Sequence, residues 1–419
     1  MSEKVAIVGG GLTGLTIALR LSQKGKEVTV YEKEKDLGGL AGSFDLAGSK
    51  IEKSYHHIFK SDKSIIDLIE ELGLGKKLKW EKSKVAQYYQ GKFFPFVGAV
   101  DLLKFKPLGI SDKIRLGLIY LYLQKTNKWE GMKKRGAAEW MRKWAGEKNW
   151  QVIWGPLLRG KFHQYYNRVS MAWLWARVNV RGKSKDSEGE KLGYLWGGFD
   201  QLIEKMKSEI EKKGGKIKTG MEIKKIEKIK NKIRVGKEMF DKVVACISSD
   251  KFYRLTQTNK RLLDIDYLGF IDVVFSSKQN LSPYYWHNIA DEKSPFLALI
   301  QQTNFVDKKN YNNKHIYYLG TYLPQNHAYF KAKDEVVYKD FFDYLTKIFP
   351  DFERKLVEEK RVFRFKWAQH LADKNYDKKI PKYKTELKNV YLVNFCQIFP
   401  QDRGMNYAVS EGEKVSKMI

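Results

Sequence analysis

An α/β fold around a parallel sheet is what this sequence predicts, and three observations carry the prediction. Residues 5–8 are a short apolar run broken at once by glycines, as in a strand buried on both faces. Gly9, Gly11 and Gly14 follow in G-x-G-x-x-G spacing. Beyond them Leu15, Ala18 and Leu19 repeat at i, i+3 and i+4, the period of a helix lying on a sheet, and Gly25 is placed to end it.

Each glycine has a distinct job in such a turn. Gly9 allows the tight turn, Gly11 lets backbone approach a pyrophosphate, and Gly14 lets the helix pack close to the strand. Leu12 and Thr13 lie inside the motif, where free amides and the positive end of the helix dipole face phosphate. A second strand, residues 28–31, ends at Glu32, 23 residues after Gly9, with Lys33 next. A carboxylate there accepts from ribose hydroxyls and repels a 2′-phosphate, which favours FAD or NAD over NADP.

The remaining elements follow in chain order. Ile65, Ile66, Ile69 and Leu72 mark one side of a helix that Gly73 stops. Residues 93–181 turn helical and rich in Trp and Tyr. A glycine turn then opens a helix with Leu202, Ile203, Met206 and Ile210 inward, ended by Gly214 and Gly215. Short strands are expected at 223–226, 233–235 and 243–247. "GFIDVVF" and "HIYYLGTYL" read as strands, residues 336–349 as a helix, and residues 389–419 as strand, glycine loop and helix. Nucleotide-binding pieces thus recur at the start, middle and end. We expect one discontinuous cofactor domain (1–92, 193–250, 386–419) and a mixed α+β substrate domain (93–192, 251–385).

Composition narrows the function. The 419 residues are 43% hydrophobic, enough for a substantial core, and the formal net charge is +29. Of the 78 basic residues only 15 are Arg, and the lysines are spread along the whole chain. That pattern suits a solvated surface better than a nucleic-acid reading head, and no nucleic-acid motif accompanies it. A phosphorylated substrate or lipid headgroup, and with it peripheral membrane contact, stays open. Cys246 and Cys396 form no C-x-x-C, no metal-binding motif occurs, and no signal-peptide pattern opens the chain. The expected setting is reducing and cytoplasmic.

Three pieces together resemble the FAD-dependent superfamily of amine oxidases, protoporphyrinogen oxidase and phytoene desaturases, with UDP-galactopyranose mutase a more distant relative. The first is the opening motif with "LGGLAGSF" at 37–44, whose doublet Gly38 and Gly39, followed by Leu40 and Ala41, corresponds to residues that pack on the FAD pyrophosphate and ribityl chain. The second is "WGGFDQLIEKM" with "GMEIKKIEKI", where Ile223 is the candidate adenine contact. The third is "FPQDRGMNYAV", where Asp402 would meet ribityl hydroxyls and amides near Gly404, Met405 and Asn406 would hold negative charge on reduced flavin. The resemblance implies a glutathione-reductase-like, Rossmann-type FAD domain and an FAD-dependent oxidoreductase that moves hydride from a C–C or C–N bond to flavin N5, with a separate electron acceptor. It also implies two alternatives: a non-redox enzyme acting on a sugar nucleotide, for which Arg159 and Arg177 would supply paired arginines facing the flavin, and a flavin- or lipid-binding subunit without turnover.

Candidate chemistry follows. His56 and His57 fall where relatives bring chain across the flavin, so both are expected at the cofactor and His57 in proton handling. Residues 154–182 collect Arg159, Lys161 and Arg177 among aromatics, a set suited to an anionic or amphipathic small molecule. Arg403 pairs with phosphate or a substrate carboxylate, or else with Glu411. Residues 93–123 read first as the helical wall of the substrate domain, with a membrane-facing or lipid-admitting surface as the alternative.

Overall fold

Strand β1 (Lys4–Val8) lies at the centre of a five-stranded parallel sheet in this computed structural model, which describes residues 2–183, 185–186 and 189–419. β2 (Glu27–Tyr31) and β3 (Lys216–Lys218) extend the sheet on one side. β4 (Lys242–Ala245) and β5 (Val390–Leu392) extend it on the other. Val5 pairs with Val28 and Lys242, fixing the register on both sides. Val5, Ala6 and Ile7 are fully buried, so both faces of β1 are covered and no polar alternation is tolerated. The order β3-β2-β1-β4-β5 draws on three separated stretches of chain.

Helix α1 (Leu12–Gln23) covers one face of this sheet, with Leu15, Ala18 and Leu19 at zero exposure. Burial of each such leucine stabilises the fold by roughly 1.5–3 kcal/mol. The carboxyl-terminal helix Met405–Ser416 packs along α1, tying the end of the chain to its beginning.

The second body of structure is a mixed seven-stranded sheet. Its long strands Val357–His370, Tyr267–Ser277 and His315–Pro324 are antiparallel neighbours. Strands Val85–Tyr89 and Lys92–Pro95 join this sheet rather than the parallel one, so the expected boundary at residue 92 does not coincide with a sheet boundary. The strand expected at 223–226 runs Ile226–Ile229 instead, which leaves Ile223 in a loop.

Residues 93–181 are largely helical, as expected. They include α2 (Ala99–Lys104), α3 (Ile110–Lys125) and α4 (Ala137–Ala145). Leu116 and Leu123 of α3 point into a core of Trp150, Trp173 and Phe162. On the other side of α2 and α3 large apolar residues face outward. No helix among the described residues is long and apolar enough to cross a membrane.

Candidate functional site

The carboxyl ends of β1, β2 and β4 open into a cavity of about 890 Å³, within the range of roughly 300–1,000 Å³ usual for ligand sites. It lies where strand order reverses around β1, the crevice an open parallel sheet offers a ligand. Gly9, Gly11, Leu12, Thr13 and Gly14 line it. Gly9 holds φ +112°, and a Cβ there would stand 2.6 Å from the Cys246 carbonyl oxygen. At Gly14 a Cβ would come within 2.0 Å of the Gly9 carbonyl oxygen, so only glycine brings helix and turn this close. Gly11 caps α1 with no side-chain bond, and the first turn carries no acid, so its free amides face the cavity without competition from a carboxylate.

Glu32 closes the turn from the end of β2. Its Oε2 accepts from the Gly10 N–H at 2.7 Å and its Oε1 from the Glu34 N–H at 2.9 Å. The carboxylate is therefore fixed by backbone while still lining the cavity beside Lys33. Gly38, Gly39, Leu40 and Ala41 form a tight turn against the glycine motif, with the Gly38 N–H donating to Gly10 O at 2.9 Å. Ile223 lines one end with Met221, Ser248, Lys251 and Arg254. His56, Arg403, Gly404 and Met405 line another part, together with residues 363–367 of the long strand Val357–His370.

Arg403 donates from Nη2 to the Tyr322 hydroxyl at 2.8 Å, and its guanidinium lies over the Tyr322 ring. The pairing with Glu411 does not form. Arg403 Nε is buried without an acceptor among the described residues, a donor left available beside the cavity. Gly404 caps the terminal helix with no side-chain bond, so that helix also turns free amides this way.

Several expected contacts are not at the cavity. His57 follows His56 directly, yet only His56 lines the cavity. The His57 Nδ1 lies 3.2 Å from the Tyr285 hydroxyl, and its ring meets Phe59 and Trp286 edge-on. Burial pulls His57 down to about 3 and His56 to about 4, so both rings are neutral near pH 7. Asn406 turns its Oδ1 to the Ile65 N–H at 3.3 Å and does not line the cavity. Arg159 also lies elsewhere: its Nε donates to Glu292 at 2.5 Å, and its guanidinium sits over Trp150 and Tyr166.

Asp402 is the main correction. Its carboxylate faces away from the cavity and takes Lys161 Nζ at 2.7 Å, Arg177 Nη1, and Trp173 Nε1 at 3.2 Å. Burial would raise Asp402, but Lys161 and Arg177 hold it well below the usual carboxylate range. Burial also draws Lys161 down to about 7 against the pull of Asp402. Lys161 and Arg177 converge on Asp402 rather than on the cavity. The cluster sits directly behind Arg403, and Lys161 Nζ is 5.1 Å from the Tyr322 ring centroid.

Sequence reasoning missed Lys251, Arg254, Tyr407 and residues 363–367, which line the cavity from distant parts of the chain. "FRFKW" has the alternation of a strand, but no local signal says which sheet face it presents.

Glycine turn, fixed acid and glycine doublet around one crevice define a dinucleotide-binding α/β fold. The chain belongs to the flavin containing amine oxidoreductase family, whose sequence model matches residues 12–394. The zeta-carotene desaturase of Solanum lycopersicum is 40% identical over 76 residues, which cover 18% of this chain and 13% of that protein. The chain thus matches only about an eighth of that relative's length. Reduced UDP-galactopyranose mutase superposes with a TM-score of 0.77 at 15% identity, covering 100% of this chain and 95% of the other. A putrescine oxidase variant gives 0.75 at 13% identity, covering 100% and 98%.

The residues present fit the family's flavin cofactor, FAD. The cavity has the size, two helix amino termini are free of acids, and a fixed carboxylate and an unsatisfied arginine donor stand beside it.

Proposed function

We propose that this protein is an FAD-dependent oxidoreductase that removes hydride from a C–C or C–N bond of a small molecule and passes the electrons to a separate acceptor. The observation that carries the reading is one continuous cavity joining the glycine motif to Arg403 and residues 363–367. FAD, when bound, supplies the hydride acceptor. The chain supplies position and charge. The α1 amides hold a pyrophosphate, and Glu32 holds ribose hydroxyls. Arg403 and the free amides beyond Gly404 favour negative charge at the far end. His56, neutral near pH 7, shapes that end without adding charge. Lys161, drawn to about 7, can hold or release a proton at Nζ one layer behind Arg403.

The sugar-nucleotide alternative called on Arg159 and Arg177 as a facing pair. Those arginines are committed to Glu292 and Asp402, which leaves it without its expected residues.

The test is the absorption spectrum of purified protein, followed through anaerobic dithionite reduction and return to air. A bound flavin spectrum that bleaches and recovers is expected. Fast recovery in air identifies oxygen as the acceptor, and slow recovery identifies another. A colourless protein that neither binds added FAD nor gains stability from it overturns the proposal.

A further inference from the structure

Among the described residues, the six most exposed large apolar side chains all lie on α2 and α3: Val100, Leu103, Ile110, Ile114, Leu118 and Leu121, between 51% and 78% exposed. On α3 the outward set recurs at i, i+4, i+8 and i+11, one continuous ridge along the helix. Leu116 and Leu123 are buried on the opposite side, so α3 is apolar on two faces and only one of them is packed. A helix of that kind in contact with water alone leaves a contiguous apolar patch unburied, and such patches mark interaction surfaces.

Charge and aromatic content indicate the partner. Residues 99–128 carry six basic residues, Lys104, Lys106, Lys113, Arg115, Lys125 and Lys128, against only Asp101 and Asp112. Lys113 reaches across to the Leu103 carbonyl, which ties the two helices together. Tyr122 and Trp144, each about half exposed, continue the same surface: Tyr122 stacks on Trp140, which lies next to Trp144. Arg115 Nε donates to the Trp144 carbonyl at 2.6 Å, so the α4 end is held beside α3. Aliphatic side chains at the crest, half-exposed Tyr and Trp beside them, and lysines around the rim match the boundary of an anionic bilayer. A protein partner does not require this excess of basic over acidic residues.

We propose that α2, α3 and the Trp144 edge of α4 form a docking surface for an anionic phospholipid membrane. The ridge inserts among acyl chains while the lysines stay at headgroup level, so the protein sits on one leaflet without spanning it. This inference is independent of the flavin reading.

The test is co-flotation of the full chain with vesicles of phosphatidylcholine alone or with about one third phosphatidylglycerol. Strong binding to the anionic vesicles is expected, weakened by salt. The triple variant Ile110→Ser/Ile114→Ser/Leu118→Ser should lose binding at least about tenfold, with Tm and flavin content unchanged because those side chains touch no core. Lys104→Gln and Lys106→Gln should each weaken binding about fivefold, the equivalent of roughly 1 kcal/mol per lysine near an anionic surface. Two results overturn the proposal. One is equal recovery with and without vesicles. The other is light scattering that shows a dimer which the triple variant converts to monomer while vesicle binding is absent, which would assign the ridge to a second copy of the chain.

Discussion

Replacing Asp402 by Asn tests the buried cluster behind Arg403. Lys161 is 6% exposed, with its Nζ 2.7 Å from Asp402. Without the carboxylate, its remaining neighbours are ring faces, Trp173 at 4.8 Å and Tyr322 at 5.1 Å from Nζ. A cation over desolvated rings gains about 2 kcal/mol, less than the charged pair gives. Stripping one member from a buried ion pair costs about 3–5 kcal/mol. Arg177, 31% exposed, can turn to water and contributes little of that cost. At about 2.1 cal/mol/K per residue, 419 residues unfold with roughly 0.9 kcal/mol/K. The variant should therefore melt about 3–6 °C lower. The deficit should also shrink as pH rises. Lys161 sits at about 7 in the fold against an ordinary value of 10.5, so between those values the unfolded chain binds the extra proton and stability climbs with pH. In Asp402→Asn the folded value drops further and the climb starts lower, so the two proteins converge toward pH 9. Thermal melts from pH 6 to 9 measure this, with Lys161→Met/Asp402→Asn completing a double-mutant cycle. A deficit under 1 °C, one that is constant with pH, or strict additivity in the cycle would refute the reasoning.

Three other perturbations follow from the site. Gly14→Ala sets a methyl against the Gly9 carbonyl oxygen and should cost at least about 1–3 kcal/mol with loss of bound flavin; a variant of normal colour and Tm counts against the close packing. Glu32→Gln gives up charge-assisted bonds to Gly10 and Glu34, worth about 1.5–3 kcal/mol each, so the flavin-to-protein absorbance ratio after gel filtration should fall several-fold, whereas full retention would leave Glu32 without a part in binding. His56 has a folded value of about 4 against 6.5 unfolded. Protons therefore favour the unfolded chain as pH falls through that window, and His56→Gln should show a smaller Tm drop between pH 7 and 4.5 than the parent chain.

Local sequence specified what depends on local geometry. The spacing of Gly9, Gly11 and Gly14 and the place of Glu32 are fixed by one strand, one turn and one helix, so they could be read directly and all lie at the cavity. The same holds for Gly38 and Gly39, which meet the first turn within a short loop. Helix and strand types followed from periodicity, because a period of 3.6 or 2 is set by neighbours in the chain.

What depended on which face a residue presents could not be read that way. His56 and His57 are chemically identical in sequence, and only tertiary packing sends one to the cavity and the other to Tyr285. Asp402 carried the right charge for ribityl hydroxyls, yet Lys161 and Arg177, more than 200 residues away in sequence, compete for it at shorter range in a dry interior. Residues 363–367 reach the cavity through the pairing of a long strand, a non-local choice. Whether the apolar residues of α3 form a packed wall or an outward surface could not be read either, because the chain cannot state which of two greasy faces finds a partner. Composition and spacing determine which groups exist and how they repeat. Only tertiary packing decides which of them meet each other, which meet the cavity, and which are left facing outward.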